Sequence, residues 1–118
     1  MKAMVVHQPG GTEVLSLERV PDPTAGQKDV IIKVDACGVC FHDIVTRNGT
    51  LRFGVQMPCI LGHEISGTVV DVGRDVRAFR KGDRVATVQR FHICGACRYC
   101  RTGRETLCPE RKFTGDLG

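Results

Sequence analysis

The fold is decided by one stretch of the sequence, GHEISGTVVDVG at residues 62–73. Its second half is rich in β-branched side chains, which is typical of a strand, and we predict that strand at residues 65–72. Gly67 lies inside it, where a glycine indicates a bulge or the close approach of another backbone segment. Gly73 then turns the chain. The centre of the sequence is therefore β structure.

Short strands flank this stretch on both sides, separated by glycine and proline turns. Four are expected: an edge strand at residues 1–8, a half-buried strand at 14–20, a third at 30–36 that should be the best buried, and one at 84–88. Between residues 40 and 47 the apolar spacing changes to that of a short helix, which ends at Asn48-Gly49. The pattern predicts a mainly β domain, a small barrel or sandwich with one short helix.

Composition limits the size and the partners of the chain. Its 118 residues are 42% hydrophobic, enough for one small domain. The core of a domain of this size would benefit from additional stabilisation, for example by a bound metal. The formal net charge is +4, and acidic residues are interspersed among the basic ones, which favours a solvated surface over a nucleic-acid interface. No apolar run approaches the roughly 20 residues of a membrane helix, and residues 1–8 are too short for a signal peptide. We expect a soluble, cytoplasmic protein.

Seven cysteines in such a chain indicate metal binding or reactivity before disulfides. Four of them follow zinc-site spacing: Cys94, Cys97, Cys100 and Cys108. Gly95 lets the backbone curl so that amide groups can reach the sulfurs. The lobe, at about residues 91–111, has few apolar side chains, so metal binding would supply the free energy for its folding. Unligated or disulfide-paired thiols and an iron–sulfur cluster are the alternatives. The longer spacing between Cys100 and Cys108 favours a structural zinc over a cluster.

A second group of residues precedes the lobe. Cys40 and His63 offer one thiolate and one imidazole, a pair suited to a catalytic zinc with an open position. Asp43 could hold the imidazole of His63 through its other nitrogen, and Glu64 could approach the metal when a water leaves. Each residue alone has an ordinary structural interpretation, but their combination with the lobe favours a site.

These motifs resemble those of the zinc-dependent medium-chain dehydrogenases, the alcohol dehydrogenase superfamily. The pattern GHE-x2-G-x5-G that begins at Gly62 matches the zinc signature of that family. GDRV at residues 82–85 matches its turn into the strand before the lobe, and the four lobe cysteines match its structural zinc spacing. The resemblance implies a GroES-like, partly open β-barrel over residues 1–118, with the zinc lobe attached.

The resemblance also implies roles for individual residues. Cys40 and His63 resemble catalytic zinc ligands, Glu64 the neighbouring carboxylate, and Asp43 the partner of His63. In such enzymes zinc acts as a Lewis acid while a hydride passes between an alcohol or carbonyl compound and NAD or NADP. The complete enzyme would act on a small alcohol, aldehyde, ketone or enone, with no nucleic-acid or membrane partner. In relatives the lobe often touches a neighbouring subunit, so a homo-oligomer could form.

His42 departs from the family pattern, because alcohol dehydrogenases usually have Ser or Thr there, whose hydroxyl starts a proton relay. Histidine can itself exchange a proton near neutral pH, so a relay could survive in altered form. Some relatives that reduce activated double bonds also lack that hydroxyl. Phe41 stands where many members carry a basic residue that faces the cofactor phosphates. A zinc-containing reductase of activated C=C bonds is therefore the alternative function.

The end of the chain departs further from the family. The family's third protein ligand of catalytic zinc comes later in the sequence, and residues 1–118 lack the dinucleotide-binding domain with its glycine fingerprint. Residues 114–118 have the composition of a turn, and we expect the sequence to be cut from a longer one. The polypeptide alone should have no dehydrogenase activity. Its incomplete catalytic site should hold zinc less tightly than the lobe.

Two rival functions use only part of these features. A stand-alone zinc module could bind nucleic acid through the arginines of the lobe, but this leaves the GHE motif unexplained. A co-chaperonin-like assembly module would follow from the fold alone, and co-chaperonins need no cysteine lobe. The two remaining cysteines, Cys37 and Cys59, are predicted to be small core residues without a function.

Overall fold

The structure, a computed structural model, describes residues 1–51 and 54–114. Within these ranges the chain forms eight β-strands and one α-helix, α1 (Phe41–Arg47). The strands are β1 (Lys2–Val6), β2 (Leu15–Arg19), β3 (Val30–Gly38), β4 (Cys59–Ile60), β5 (Glu64–Val72), β6 (Arg84–Ala86), β7 (Arg90–His92) and β8 (Lys112–Phe113). Short 3₁₀ helices span Thr12–Val14, Cys100–Thr102 and Glu105–Leu107. The predominance of strands confirms the prediction of a mainly β domain.

β1 is the central strand of a three-stranded antiparallel sheet with the order β2-β1-β4. Val6 pairs with Leu15 on one side and with Cys59 on the other, and Val6 is fully buried. The prediction of an edge strand at residues 1–8 is therefore wrong. The second partner strand, Cys59–Ile60, has only two residues and leaves no periodicity in the sequence by which it could be recognised.

β5 is the central strand of the second sheet, which has the order β3-β5-β6, and this confirms the strand predicted at residues 65–72. Gly67 pairs with Val34, next to a register shift between Val34 and Ala36. A Cβ atom on Gly67 would lie 2.2 Å from the carbonyl oxygen of Lys33, far inside contact distance. The predicted close approach of another backbone segment is therefore confirmed.

β3 is more exposed than its sequence suggests. Among the described strands it pairs only with β5, and its residues 33–37 are all exposed. The predictions that this strand is the best buried and that Cys37 lies in the core are both wrong. β-branched composition indicates a strand, but burial depends on what packs against it. Cys59 is 1% exposed, as predicted for a small core residue, and it joins Val6 and Val69 in the core.

α1 begins after its N-cap residue Cys40 and ends at the C-cap Asn48, which agrees with the helix predicted at residues 40–47. The N–H of His42 donates to the Cys40 sulfur at 3.3 Å, and the N–H of Cys40 donates to Asp43 Oδ2 at 2.9 Å. This reciprocal capping satisfies two donors at the start of the helix. None of the described helices has both the length and the apolar character needed to cross a bilayer.

The last part of the chain forms a separate ribbon in which β7 pairs with β8. Sequence periodicity does not predict this ribbon, because its strands have only three and two residues. The strand predicted at residues 84–88 stops at Ala86. The sheets stay open, in agreement with a partly open barrel. The turn predicted at residues 114–118 lies, beyond Thr114, outside the described residues.

Candidate metal centres

The lobe brings four sulfur atoms together between β7 and β8. The Sγ atoms of Cys94, Cys97, Cys100 and Cys108 all lie within 4.8 Å of one another. The sulfurs of Cys94 and Cys97 are 3.9 Å and 3.6 Å from that of Cys100. A tetrahedral zinc with sulfur ligands at about 2.3 Å would set neighbouring sulfurs about 3.8 Å apart. The four residues predicted from spacing therefore lie at separations that fit one zinc ion.

Backbone N–H groups point at two of these sulfurs. The N–H of Cys94 donates to Cys108 Sγ at 3.4 Å, and the N–H of Cys97 donates to Cys94 Sγ at 3.3 Å. Gly95 lies between these donors with φ of 71°, in the left-handed region that favours glycine. Such donors stabilise sulfur in its thiolate form, which is the form that binds metal.

The thiols of the lobe differ in acidity. Burial, together with the neighbouring Cys97 thiol, raises the pKa of Cys100 to about 12. The N–H of Cys94 lowers the pKa of Cys108 below its usual range. Four thiols at this spacing resist joint ionisation, because each thiolate raises the pKa of the next. A bound divalent cation removes that obstacle, so the donor set suits a metal ion.

The alternatives for the lobe fit the geometry less well. All seven cysteines are free, and sulfurs 3.6–3.9 Å apart are far from a disulfide bond length of about 2.05 Å. An iron–sulfur cluster contains several irons and inorganic sulfides, which hold the ligating cysteines farther apart than one ion does. Four sulfurs within 4.8 Å of one another surround space for a single ion.

The second group of predicted residues converges from α1 and β5. Cys40 caps the start of α1 and His63 directly precedes β5, so that Cys40 Sγ lies 3.1 Å from His63 Nε2. Glu64 completes a set whose ligand atoms all lie within 4.8 Å of one another. Gly38 makes room for this carboxylate, because a Cβ atom there would lie 2.3 Å from Glu64 Oε2. Three donors of these types fit one zinc ion with an open position.

Asp43 ties the two ligand-bearing segments together. Its carboxylate accepts the N–H of Cys40 at 2.9 Å and the N–H of Gly62 at 3.0 Å. Its Oδ1 atom also lies 3.5 Å from Nδ1 of His63, a buried nitrogen without a hydrogen-bond partner among the described residues. When Nε2 of a histidine binds a metal, Nδ1 carries the proton and needs an acceptor. Asp43 is placed to be that acceptor.

Cys40 and His63 line an open cleft of about 600 Å³. His42 also lines it, and the ring of His42 meets the ring of His63 edge-on with centroids 5.1 Å apart. Residues 86–89 form the facing wall. A small molecule can therefore reach the candidate metal position from solvent.

Two residues of this cleft, Thr87 and Gln89, have no signal in the sequence. The Thr87 hydroxyl donates to the carbonyl oxygen of His63 and accepts the N–H of Ile65, both at 3.3 Å. Nε2 of Gln89 lies 3.1 Å from Nδ1 of His42. Thr87 is 24 residues from His63 in the sequence, and Gln89 is 47 residues from His42. No local motif could have indicated them.

Comparison with known proteins places this architecture in one family. The sequence model of the family described as the alcohol dehydrogenase GroES-like domain matches residues 26–118. A sorbitol dehydrogenase of Halalkalibacterium halodurans is 43% identical over 98% of the chain, and an acryloyl-coenzyme A reductase of Sulfurisphaera tokodaii is 40% identical over 94%. A cobalt- and zinc-bound thermostable alcohol dehydrogenase from Pyrobaculum aerophilum superposes with a TM-score of 0.87 at 31% identity, covering 98% of this chain.

The chain therefore belongs to the family of alcohol dehydrogenase GroES-like domains. It spans only about a third of the length of these proteins: 33% of the sorbitol dehydrogenase, 32% of the reductase and 36% of the Pyrobaculum enzyme. The predicted GroES-like fold is confirmed by this membership and by the structural match.

Proposed function

We propose that this chain is the amino-terminal, zinc-binding part of an NAD(P)-dependent oxidoreductase of the alcohol dehydrogenase type. The observation that carries the proposal is the convergence of Cys40, His63 and Glu64 on one open cleft. The names of the relatives support it, since the sorbitol dehydrogenase and the Pyrobaculum alcohol dehydrogenase are oxidoreductases of alcohols. The complete protein would convert a small alcohol and its aldehyde or ketone.

Cys40 and His63 would hold the catalytic zinc, with Glu64 beside them. A zinc ion bound there would supply Lewis acidity for a substrate oxygen. Asp43 would orient the histidine ligand: its Oδ1 atom lies 3.5 Å from Nδ1 of His63, where it could accept the proton on Nδ1 and leave the lone pair of Nε2 for the metal. His63 is 5% exposed, which limits the access of competing water to its ring.

The lobe cysteines would hold a second, structural zinc. Their sulfurs surround a single position and leave no coordination site for substrate, as in closed structural sites. Two arginines of the lobe are engaged locally: the guanidinium groups of Arg98 and Arg104 lie over the Tyr99 ring, 4.6 Å and 5.8 Å from its centroid. This arrangement supports a structural role for the lobe over a nucleic-acid interface.

The nicotinamide cofactor, NAD or NADP, would bind elsewhere in a longer protein. The described residues contain three antiparallel sheets and no βαβ unit, which is the unit that binds dinucleotides in this class of enzyme. Hydride transfer would require both parts. We therefore expect residues 1–118 alone to show no turnover with NADH or NADPH.

A reductase of activated C=C bonds is the second candidate. The observation that favours it is His42, an imidazole held by Gln89 where a Ser or Thr hydroxyl would serve alcohol oxidation. The acryloyl-coenzyme A reductase relative, 40% identical, agrees with this possibility.

A chimaera tests both candidates. Residues 1–118 would replace the matching third of the Halalkalibacterium sorbitol dehydrogenase, and oxidation of NADH and NADPH would be followed with aldehydes, ketones and enones. We expect turnover that is lost in the Cys40→Ser chimaera, and preference for enones would select the second candidate. A folded, zinc-loaded chimaera that is inert toward every substrate would overturn the proposal, as would turnover by residues 1–118 alone.

A further inference from the structure

The cysteine lobe is inserted between the two strands of the β7–β8 ribbon. β7 ends at His92, just before Cys94, and β8 begins at Lys112, just after Cys108. The N–H of Cys94 donates to Cys108 Sγ at 3.4 Å, so the first and last cysteines lie together where the chain enters and leaves the lobe. A metal ion held by the lobe would therefore close the loop that joins the two strands.

The ribbon is too short to be stable by itself. Its strands have only three and two residues, with Arg90 opposite Phe113. An isolated two-stranded hairpin is at best marginally stable in water. Just after β8, the N–H of Thr114 donates to the carbonyl oxygen of Gln89 at 2.8 Å, and Gln89 lines the cleft. We therefore expect this wall of the cleft to depend on whatever supports the ribbon.

The side chain of Arg111 joins the lobe to this ribbon. Its Nη1 atom donates to the carbonyl oxygen of Cys108 at 2.9 Å, and its backbone N–H donates to the same oxygen at 3.2 Å. Its guanidinium carbon lies over the ring of Phe113, 5.6 Å from the centroid. One planar cation therefore contacts both the residue that carries the last lobe sulfur and a residue of β8.

We propose that Arg111 is a positioning residue that transmits metal occupancy of the lobe to the wall of the cleft. With the metal bound, Cys108 is fixed and Arg111 holds Phe113 within β8. The pairing of β8 then holds Gln89 in the cleft wall. Without the metal, Cys108 can move and the ribbon loses this support. The inference rests on the structural zinc site proposed above for the lobe.

An arginine suits this junction because of the shape of its guanidinium group. The group donates hydrogen bonds in its plane and packs against an aromatic ring with its face, so it can make both contacts at once. A lysine ammonium is a compact point charge and would replace them only in part. Arg98 and Arg104 make their ring contacts with Tyr99, which belongs to the lobe itself, whereas Arg111 reaches a ring of β8.

Amide hydrogen exchange at Thr114 measures the pairing beside the cleft. The ¹⁵N-labelled full chain would be compared with and without one equivalent of zinc, with metal analysis of each sample, and zinc should slow this exchange in the parent. In zinc-loaded Arg111→Leu, Thr114 should exchange about ten times faster than in the parent, the effect expected when one hydrogen bond from a charged group is lost. The N–H of Val69, which donates to the Asp83 carbonyl at 2.9 Å, is the internal reference for folding and should not change.

A double-mutant cycle separates transmission from general structural support. Cys97→Ser removes a lobe ligand, and in that background Arg111→Leu should change the exchange of Thr114 little, because the path is already interrupted. Arg111→Lys should restore part of the protection in the zinc-loaded chain. Arg101→Leu removes an exposed guanidinium of the same lobe, and this matched control should exchange as the parent does.

The outcomes distinguish this inference from the function on which it rests. Losses of protection that add in the double variant would overturn it, as would equal exchange at Thr114 in the parent with and without bound zinc. A parent chain that takes up no zinc would contradict the lobe site itself and this inference with it. An inert chimaera whose lobe retains zinc would contradict only the catalytic function, because neither substrate nor cofactor enters these measurements.

Discussion

At the scale of single residues, the Asp43 carboxylate links local structure to the candidate catalytic zinc. It caps the helix that begins after Cys40, accepts the N–H of Gly62, and faces the buried Nδ1 of His63. The sequence suggested only the last of these contacts. The other two depend on a turn at Gly62 with φ of 106°, which brings its N–H to the start of the helix. A single carboxylate thus contacts both segments that carry the candidate zinc ligands Cys40 and His63.

Asp43→Asn should weaken zinc binding at the Cys40–His63 site about 10–100-fold, because the amide is a poorer acceptor for a metal-bound imidazole. Competition of the purified chain against a chromophoric chelator would measure this. Asp35→Asn, at an exposed position of β3, is the matched control and should bind zinc as the parent does. Equal affinity in Asp43→Asn and Asp35→Asn would show that the carboxylate does not support the site.

At the scale of elements, the helix and the lobe could be predicted because their determinants are close in sequence. The cap at Cys40 and the end at Asn48 bracket one helix of seven residues, and the four sulfurs come from one continuous segment. Pairing partners were harder to predict. The central place of β1 depends on a two-residue strand 53 or more residues away, and β3 has the composition of a buried strand without the packing.

Gly67→Ala should destabilise the sheet of β3, β5 and β6 by about 1–3 kcal/mol or more, because the added Cβ would meet a backbone carbonyl that cannot move aside without breaking strand pairing. Urea unfolding would give the change in free energy of unfolding. Ser66→Ala, on an exposed position of the same strand, should change stability little. Similar midpoints for the two variants would contradict the argument from close approach.

The affinity of the lobe for zinc should rise with pH. The raised pKa of Cys100, about 12, keeps that thiol protonated at neutral pH, so metal binding has to release a proton. Binding therefore weakens as pH falls and strengthens as pH rises toward that pKa. Calorimetric titration in buffers of different ionisation enthalpy would count the released protons. An affinity independent of pH between 6 and 8 would be inconsistent with thiol ligands.

At the scale of the whole molecule, membership of the family and the open β architecture could be read from motifs, whereas the make-up of the cleft could not. GHE and the cysteine spacing are local patterns. Gln89 reaches His42 across 47 residues, and it does so through the pairing of a ribbon whose strands are too short to predict. Sequence motifs thus indicate candidate metal ligands, and only the fold shows which other residues line the cleft beside them.

The two candidate metal centres of the chain should differ in their affinity for zinc. We expect one tightly held zinc in the lobe and a second, weaker one at Cys40 and His63, where the described residues provide three donors including the exposed Glu64. Metal analysis after dialysis against a moderate chelator would show about one zinc per chain. Cys97→Ser should remove it, and Cys37→Ser, at an exposed thiol outside both centres, should not. Two equally retained zinc ions would contradict this order.

The bond from Thr114 to Gln89 has a consequence for inhibition. β8 follows the last lobe cysteine and closes the ribbon, so the wall of the cleft near Gln89 is continuous with the segment that carries the four lobe cysteines. A thiol reagent that displaces metal from the lobe alone would therefore disturb the cleft without competing with substrate. In the complete enzyme proposed above, such a loss of activity would resemble poisoning of the catalytic centre, although the reagent would act on the cysteine cluster of the lobe.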